Sequence, residues 1–247
     1  MQPIKVTFLG TGDAFSAGGR QQAAILVQHP DASFLMDCGA TILAALNNQN
    51  LSFETLDYII LSHLHGDHIG GLPFLFLHLC YIEPRSRALE ILGPEGLDER
   101  IYQLYKAMYS DAASEPLPFE LIFTPLKPKK QHIAGALKIE PFHVPHLKYP
   151  PSLGYSLELD GRRIVYSGDS GWTEELAAYA KDADLFICEC SFYESQAPHH
   201  LNYPTIVERL ADCGARRMVL THLGQEVLER IDQLDLEFVN DGSVVTL

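Results

Sequence analysis

Short apolar runs punctuated by Gly, Pro, Asn and Asp set the pattern of this chain. Ile4 to Leu9 predicts a strand ending in the turn Gly10-Thr11-Gly12-Asp13. Ala23 to Gln28 and Ser33 to Met36 predict two more strands, separated by the turn signal His29-Pro30-Asp31. Tyr58-Ile59-Ile60-Leu61 is short and wholly apolar, which suits a buried strand, and it runs straight into a histidine cluster. Leu137 to Phe142 is a further strand, followed by a loop bearing His143 and His146. Leu153 to Leu159 and Arg163 to Ser167 form a hairpin around Asp160-Gly161. Asp184 to Cys190 and Arg217 to Thr221 complete the predicted strands.

Helical periodicity covers Thr41 to Asn48, Glu174 to Ala183 and Thr205 to Cys213. It also covers 98–110, where Ile101, Leu104, Tyr105 and Met108 share one face. The most apolar segment, Ile69 to Ile82, contains Pro73 and His78 and is too short to span a bilayer, so it predicts a buried helix. Strands mixed with helices, with polar clusters at strand ends, predict a layered α/β protein. No repeat, low-complexity tract or linker interrupts residues 1–247, which are read as one domain.

Composition narrows the class. Apolar residues make up 47% and charged residues 20%, ordinary for a globular protein. The start MQPIKVTFLG lacks the basic and apolar regions of a signal peptide, and with no membrane segment the expected location is the cytoplasm. Five cysteines (Cys38, Cys80, Cys188, Cys190, Cys213) show no framework or zinc-knot spacing and are read as reduced, mostly buried thiols. The net charge of −14 disfavours long nucleic acids as partners. The basic clusters Lys127-Pro128-Lys129-Lys130 and Arg216-Arg217 read as solvated loop and turn residues.

His63-Leu64-His65-Gly66-Asp67-His68 is the strongest chemical signal. Three imidazoles and a carboxylate on one tight loop after an apolar strand are what zinc and similar divalent ions require. Core hydrogen bonding would account for a lone histidine, not for three with an aspartate among them. Gly66, Gly70 and Gly71 are expected to let the backbone turn closely around an ion.

This segment resembles the signature of the metallo-β-lactamase superfamily, and the resemblance extends along the chain. Phe8-Leu9-Gly10-Thr11-Gly12-Asp13, Leu35-Met36-Asp37-Cys38-Gly39, His146 before Gly154-Tyr155, Tyr166-Ser167-Gly168-Asp169 and Leu220-Thr221-His222 are similar to its landmarks, in order. The resemblance implies a four-layer αββα sandwich with two divalent metal ions, zinc by expectation with manganese or iron as alternatives. It implies that His63, His65 and His146 bind one ion, that Asp67, His68 and His222 bind the other, and that Asp169 bridges them. Such a pair lowers the pKa of a bridging water, and Asp67 would also orient the hydroxide. The family pattern favours His146 over His143 as the third histidine. A homodimer is expected on the same analogy. Asp37 is assigned to support of the metal loop, and Arg20 reads as a surface-loop arginine rather than a phosphate contact.

His199-His200-Leu201-Asn202 is the second cluster. In the phosphodiesterase branch of the superfamily, which includes ribonuclease Z, a histidine in this interval assists the leaving group. His200 matches it by place, and Glu189 resembles the acidic residue that orients it. A protonated imidazole beside a carboxylate is suited to give a proton to a departing oxygen. The alternative reading for both residues is structural. The expected function is hydrolysis of a phosphodiester in a small or medium-sized substrate. Alternatives are tRNA 3′ processing of the ribonuclease Z type, hydrolysis of a lactone, thioester or sulfate ester, and a non-catalytic binding role. The interval from Gly93-Pro94 to Phe119 reads as one helix and a Pro-containing turn, with no room for the Gly/Pro-rich arm by which ribonuclease Z grips tRNA.

Overall fold

Alternate residues along the N-terminal strands enter two different apolar cores, which explains why those strands read as unbroken apolar runs. A computed structural model describes residues 2–247. In it β1 (Lys5–Gly10), β2 (Ala24–His29), β3 (Ala32–Met36), β4 (Tyr58–Ile60), β5 (Leu89–Gly93) and β6 (Leu121–Pro125) lie side by side in chain order. Val6, Phe8, Ile25, Val27, Phe34, Met36 and Ile60 face a second sheet. Leu9, Ala24, Leu26, Leu35, Ile59 and Leu61 face helices α1 (Ile42–Asn48), α2 (Gly66–Ile69), α3 (Leu72–Tyr81) and α4 (Leu97–Met108).

The second sheet contains β7 (His132–Ala134), β8 (Leu137–Val144), β9 (Ser152–Leu159), β10 (Arg162–Tyr166), β11 (Leu185–Glu189) and β12 (Met218–Thr221). The same alternation holds there. Ile164, Tyr166, Leu185 and Ile187 meet the first sheet. Val165, Phe186 and Cys188 pack on α5 (Glu174–Ala180), α6 (Tyr203–Cys213) and α7 (Gln225–Leu228). β13 (Val244–Thr246) returns to pair antiparallel with β1. The order helices, sheet, sheet, helices is the expected αββα sandwich.

Local chemistry sets several boundaries. The β9–β10 hairpin turns on Asp160 (φ 46°) and Gly161 (φ 73°), the double positive φ of a type I′ turn. Helix α6 starts at Tyr203, earlier than the expected Thr205, because the Asn202 side chain accepts the Thr205 N–H (3.1 Å) and Pro204 tolerates the first turn. Helix α5 stops at Ala180, short of the expected Ala183, since Lys181 leaves the helical region (ψ 129°) and Asp182 has φ 59°. β5, β6, β7, β13 and α7 carried no clear periodic signal, being three to five residues long. In β5 and β6 polar residues interrupt the run, and Glu90 accepts the Thr124 hydroxyl across the pair (2.5 Å).

The interval between β5 and β6 holds α4 and a single 3-10 turn, Ala112–Ser114. All five cysteines are free thiols, and only Cys80 is less than fully buried. Lys127, Lys129 and Lys130 are exposed, and Arg216 and Arg217 pair with Asp184 and Glu237. No helix among the described residues is long and apolar enough to cross a membrane.

Arg20 departs from its expected place on the surface. Its Nη1 donates to Thr11 Oγ1 (2.6 Å) and to the Val239 carbonyl (2.9 Å), and its Nη2 donates to Asn240 Oδ1 (2.5 Å). Asp241 accepts from the Thr11 and Gln21 amides beside it (2.9 and 2.7 Å). Arg20 thus fastens the loop after β1 to the chain before β13, a partnership between segments too distant in sequence to be foreseen.

Candidate metal centre

The chain reverses at the ends of strands from both sheets, and these ends bring the polar residues together. β4 delivers Ser62, His63 and His65, and the single turn α2 adds Asp67 and His68. His146 follows β8, Asp169 follows β10, Glu189 ends β11 and His222 follows β12. Backbone bonds pin the β4–α2 loop: Cys38 N–H donates to the His68 carbonyl (2.7 Å) and Gly71 N–H to the Cys38 carbonyl (2.9 Å). The Tyr155 hydroxyl, fully buried, donates to the Leu61 carbonyl (2.6 Å).

The glycines act differently from expectation. Gly66, Gly70 and Gly71 all lack a positive φ. Gly71 is needed for close approach, because a Cβ there would sit 2.2 Å from the Gly39 carbonyl oxygen. Gly66 has open space around it. The positive φ values fall instead on Asp37 (58°), Gly168 (56°) and His222 (54°), each at the end of a strand that supplies the cluster.

Ligand-type atoms of His63, His65 and His146 lie within 4.8 Å of one another, as do those of Asp67, His68, Asp169 and His222. His65 Nδ1 is 3.1 Å from His146 Nε2. Asp169 spans the two groups. Its Oδ2 is 3.9 Å from Nε2 of both His63 and His146, and its Oδ1 is 3.3 Å from Nε2 of both His68 and His222. Tetrahedral ligands at roughly 2.0–2.2 Å from an ion stand roughly 3.3–3.6 Å apart, a range that the 3.3 Å separations meet and the 3.1 and 3.9 Å separations bracket. His143 is exposed on β8 and outside the cluster.

Orphaned atoms give an independent test of fit. Nε2 of His63, His68 and His222 and Oδ1 of Asp169 are buried without a hydrogen-bond partner. Each such atom costs about 1–3 kcal/mol if left unsatisfied. Those of His68, His222 and Asp169 fall in one ligand group and that of His63 in the other, which fits a cation in each, and the N and O donors are those of a divalent metal.

The electrostatics agree. Burial would lower the His68 imidazole, but the charges of Asp169 and Asp37 outweigh it and raise it well above the usual value. Burial acts the same way on His222, where the nearby Asp169 and Asp67 carboxylates prevail and push it up to about 9. Burial would raise Asp169, yet His222 and His68 hold it well below the ordinary carboxylate value. His63, by contrast, is depressed by burial and by the neighbouring His68 charge. Only histidines form ion pairs with Asp67 and Asp169 among the described residues. The buried carboxylates therefore draw positive charge into the cleft.

Beneath the cluster, Asp37 is wholly buried. Its Oδ2 accepts from His68 Nδ1 (2.8 Å), the Ser62 hydroxyl (2.8 Å) and the Tyr166 hydroxyl (2.7 Å). His200 lies at the edge, with Nδ1 3.0 Å from Glu189 Oε1. Burial would lower the His200 imidazole, and the Glu189 hydrogen bond overrides it to leave a raised value. His146 Nδ1 reaches the His199 carbonyl at 3.0 Å, which joins the His200 loop to the first trio. His65, Asp67, His146, Asp169, His200 and His222 line a cavity of about 390 Å³ with Phe15, Phe192, Gln225 and Glu226 at its sides. Phe15 is 90% exposed. Ser62, Ser191, Phe15 and Phe192 were not singled out from sequence, although Ser62 directly precedes His63 and Ser191 follows Glu189 by two residues.

A metal-dependent hydrolase of the metallo-β-lactamase superfamily, ribonuclease Z-like in its architecture, is the class this fold and donor set define. The chain belongs to the family described as Anti-Pycsar protein Apyc1, which matches residues 4–245. It is 31% identical to the probable metallo-hydrolase YhfI of Bacillus subtilis strain 168, over 89% of this chain and 87% of that protein. It is 24% identical to a ribonuclease Z of Lachnospira eligens, over 99% and 98% of the two chains. The crystal structure of human tRNase Z, short form, superposes with a TM-score of 0.79 at 26% identity, covering 98% of each chain.

Proposed function

We propose that this protein hydrolyses a phosphodiester in a small or medium-sized substrate that carries a planar ring. The observation that carries the reading is His200, held by Glu189, in the same cleft that His65, Asp67, His146, Asp169 and His222 line. His63, His65 and His146 would hold one divalent ion and Asp67, His68 and His222 the other, with Asp169 shared. When bound, such a pair makes hydroxide available near neutral pH and offsets charge building on the phosphoryl group.

The protein's own residues do the rest. Glu189 accepts the His200 Nδ1–H and keeps the imidazole protonated and oriented. Nε2 has no protein hydrogen-bond partner among the described residues and can give its proton to the departing alkoxide. Asp67, 3.2 and 3.5 Å from the His68 and His222 nitrogens, would orient the attacking water. Phe15 and Phe192 offer ring faces on which a nucleobase can stack.

Relatives named ribonuclease Z and human tRNase Z support a second reading, cleavage of precursor tRNA. The cavity lining, which is imidazole, carboxylate and aromatic, and the short β5–β6 interval favour the smaller substrate. The test is a panel assay of metal-loaded protein on bis(p-nitrophenyl) phosphate, cyclic nucleotides, an aryl sulfate, lactones and precursor tRNA. Turnover should be greatest on the small phosphodiesters. Faster cleavage of precursor tRNA would select the second reading, and turnover of only lactone or sulfate would overturn both.

A further inference from the structure

We propose that Ser191 is a positioning residue that makes one buried carboxylate, Glu189, orient both His222 and His200; this rests on the metal-centre reading above. Ser191 is 7% exposed and sits just beyond β11. Its Oγ lies 2.5 Å from Glu189 Oε2, and its N–H donates to the same oxygen at 3.1 Å. A carboxylate only accepts, so the single hydroxyl hydrogen is committed to Glu189. The lone pairs that remain on Oγ face His222 Nδ1 at 3.1 Å and can accept its N–H.

That bond decides the tautomer. With hydrogen held on Nδ1, His222 must present the lone pair of Nε2, which is the orphaned atom turned to Asp67 and Asp169. The other Glu189 oxygen, Oε1, accepts the Ser170 N–H (2.8 Å) and the His200 Nδ1–H (3.0 Å). The two imidazoles lie 6.2 Å apart and nearly parallel, at 19°. Glu189 therefore holds the acid directly and the cluster histidine through a serine.

The same device occurs on the opposite side of the cleft. Asp37 Oδ2 takes His68 Nδ1–H directly (2.8 Å) and the Ser62 hydroxyl (2.8 Å), and Ser62 Oγ lies 3.0 Å from His63 Nδ1. Two carboxylate–serine pairs, one from each sheet, thus fix the tautomers of three cluster histidines. A hydroxyl used only for packing would not be placed between a carboxylate and an imidazole on both sides.

The experiment uses the full chain titrated with Zn²⁺ against a competing chelator, with imidazole nitrogens observed by long-range ¹H–¹⁵N NMR. Ser191→Ala should weaken one of the two ions by about 10–100-fold, the usual effect of losing a residue that orients a ligand, and leave the other unchanged. Ser191→Thr, which keeps the hydroxyl, should restore it. In the Zn²⁺-loaded wild type, His222 should carry its hydrogen on Nδ1. Two unchanged affinities in the Ala variant, or hydrogen on Nε2 of His222 in the Zn²⁺-loaded wild type, would overturn the role of Ser191. If the Ala variant misfolds, the wild-type tautomer alone decides. A wild-type protein that binds only one ion would instead remove the binuclear reading beneath it.

Discussion

Asp169 Oδ1 lies 3.3 Å from His222 Nε2, although the two residues end different strands and neither atom has a hydrogen-bond partner. The other oxygen of Asp169 faces the His63 and His146 side. Asp169→Ala should therefore lower occupancy of both ion positions, and elemental analysis of purified protein should fall from two ions per chain to fewer than one. Retention of one full ion would show that Asp169 serves a single position.

His200 should be separable from the metals. Replacing it by Ala leaves the seven cluster residues in place, so metal content should not change. The rate with a poor alkoxide leaving group should drop by about 10²–10⁴-fold, the usual value of a positioned general acid. With p-nitrophenolate, which departs without a proton, the loss should be far smaller. Equal losses on both substrates would remove His200 from the acid role.

Glu226 makes a pH prediction on the loop that leads to His200. Its carboxylate accepts the Ser195 hydroxyl and the N–H groups of Ser195, Glu194 and Tyr193 (3.1, 3.2 and 3.1 Å). The Ser195 hydroxyl, then these amides, bring it down from 4.5 to about 2. A depressed carboxyl contributes fully above its unfolded value and loses that contribution as pH falls through its folded value. Order in residues 193–195 should persist from neutral pH to about 4 and disappear between about 4 and 2. Amide hydrogen-exchange protection, corrected for intrinsic rates, reads this directly. Glu226→Gln should show reduced protection at neutral pH, and a loop indifferent to both changes would contradict the assignment.

Arg20→Ala tests the clamp between the loop after β1 and residues 239–240. Loss of three charge-assisted bonds should destabilise the fold by about 1–3 kcal/mol, read by denaturant unfolding, with metal content unchanged. A variant of wild-type stability with a raised KM for a phosphodiester would instead place Arg20 on the substrate.

The sequence by itself determined most strands and helices and the order of the chemistry, and its resemblance to the superfamily implied the sandwich. Residues such as Ile59 and Ile60 are buried on opposite faces of one strand, so the apolar run survives in one dimension. His63, His65, Asp67 and His68 lie on one short segment that runs from the end of β4 into α2, so their convergence is local and legible. Only the tertiary structure decided what lies underneath. Asp37 meets Tyr166 and Ser62 because strands from different sheets end at the same edge, and nothing in the separate segments signals that meeting. Arg20 became a clamp, Gly71 a contact point and Ser191 a link for the same reason. A hydrogen bond or a steric limit belongs to a pair, and when its partners are far apart in the chain neither residue alone carries its mark.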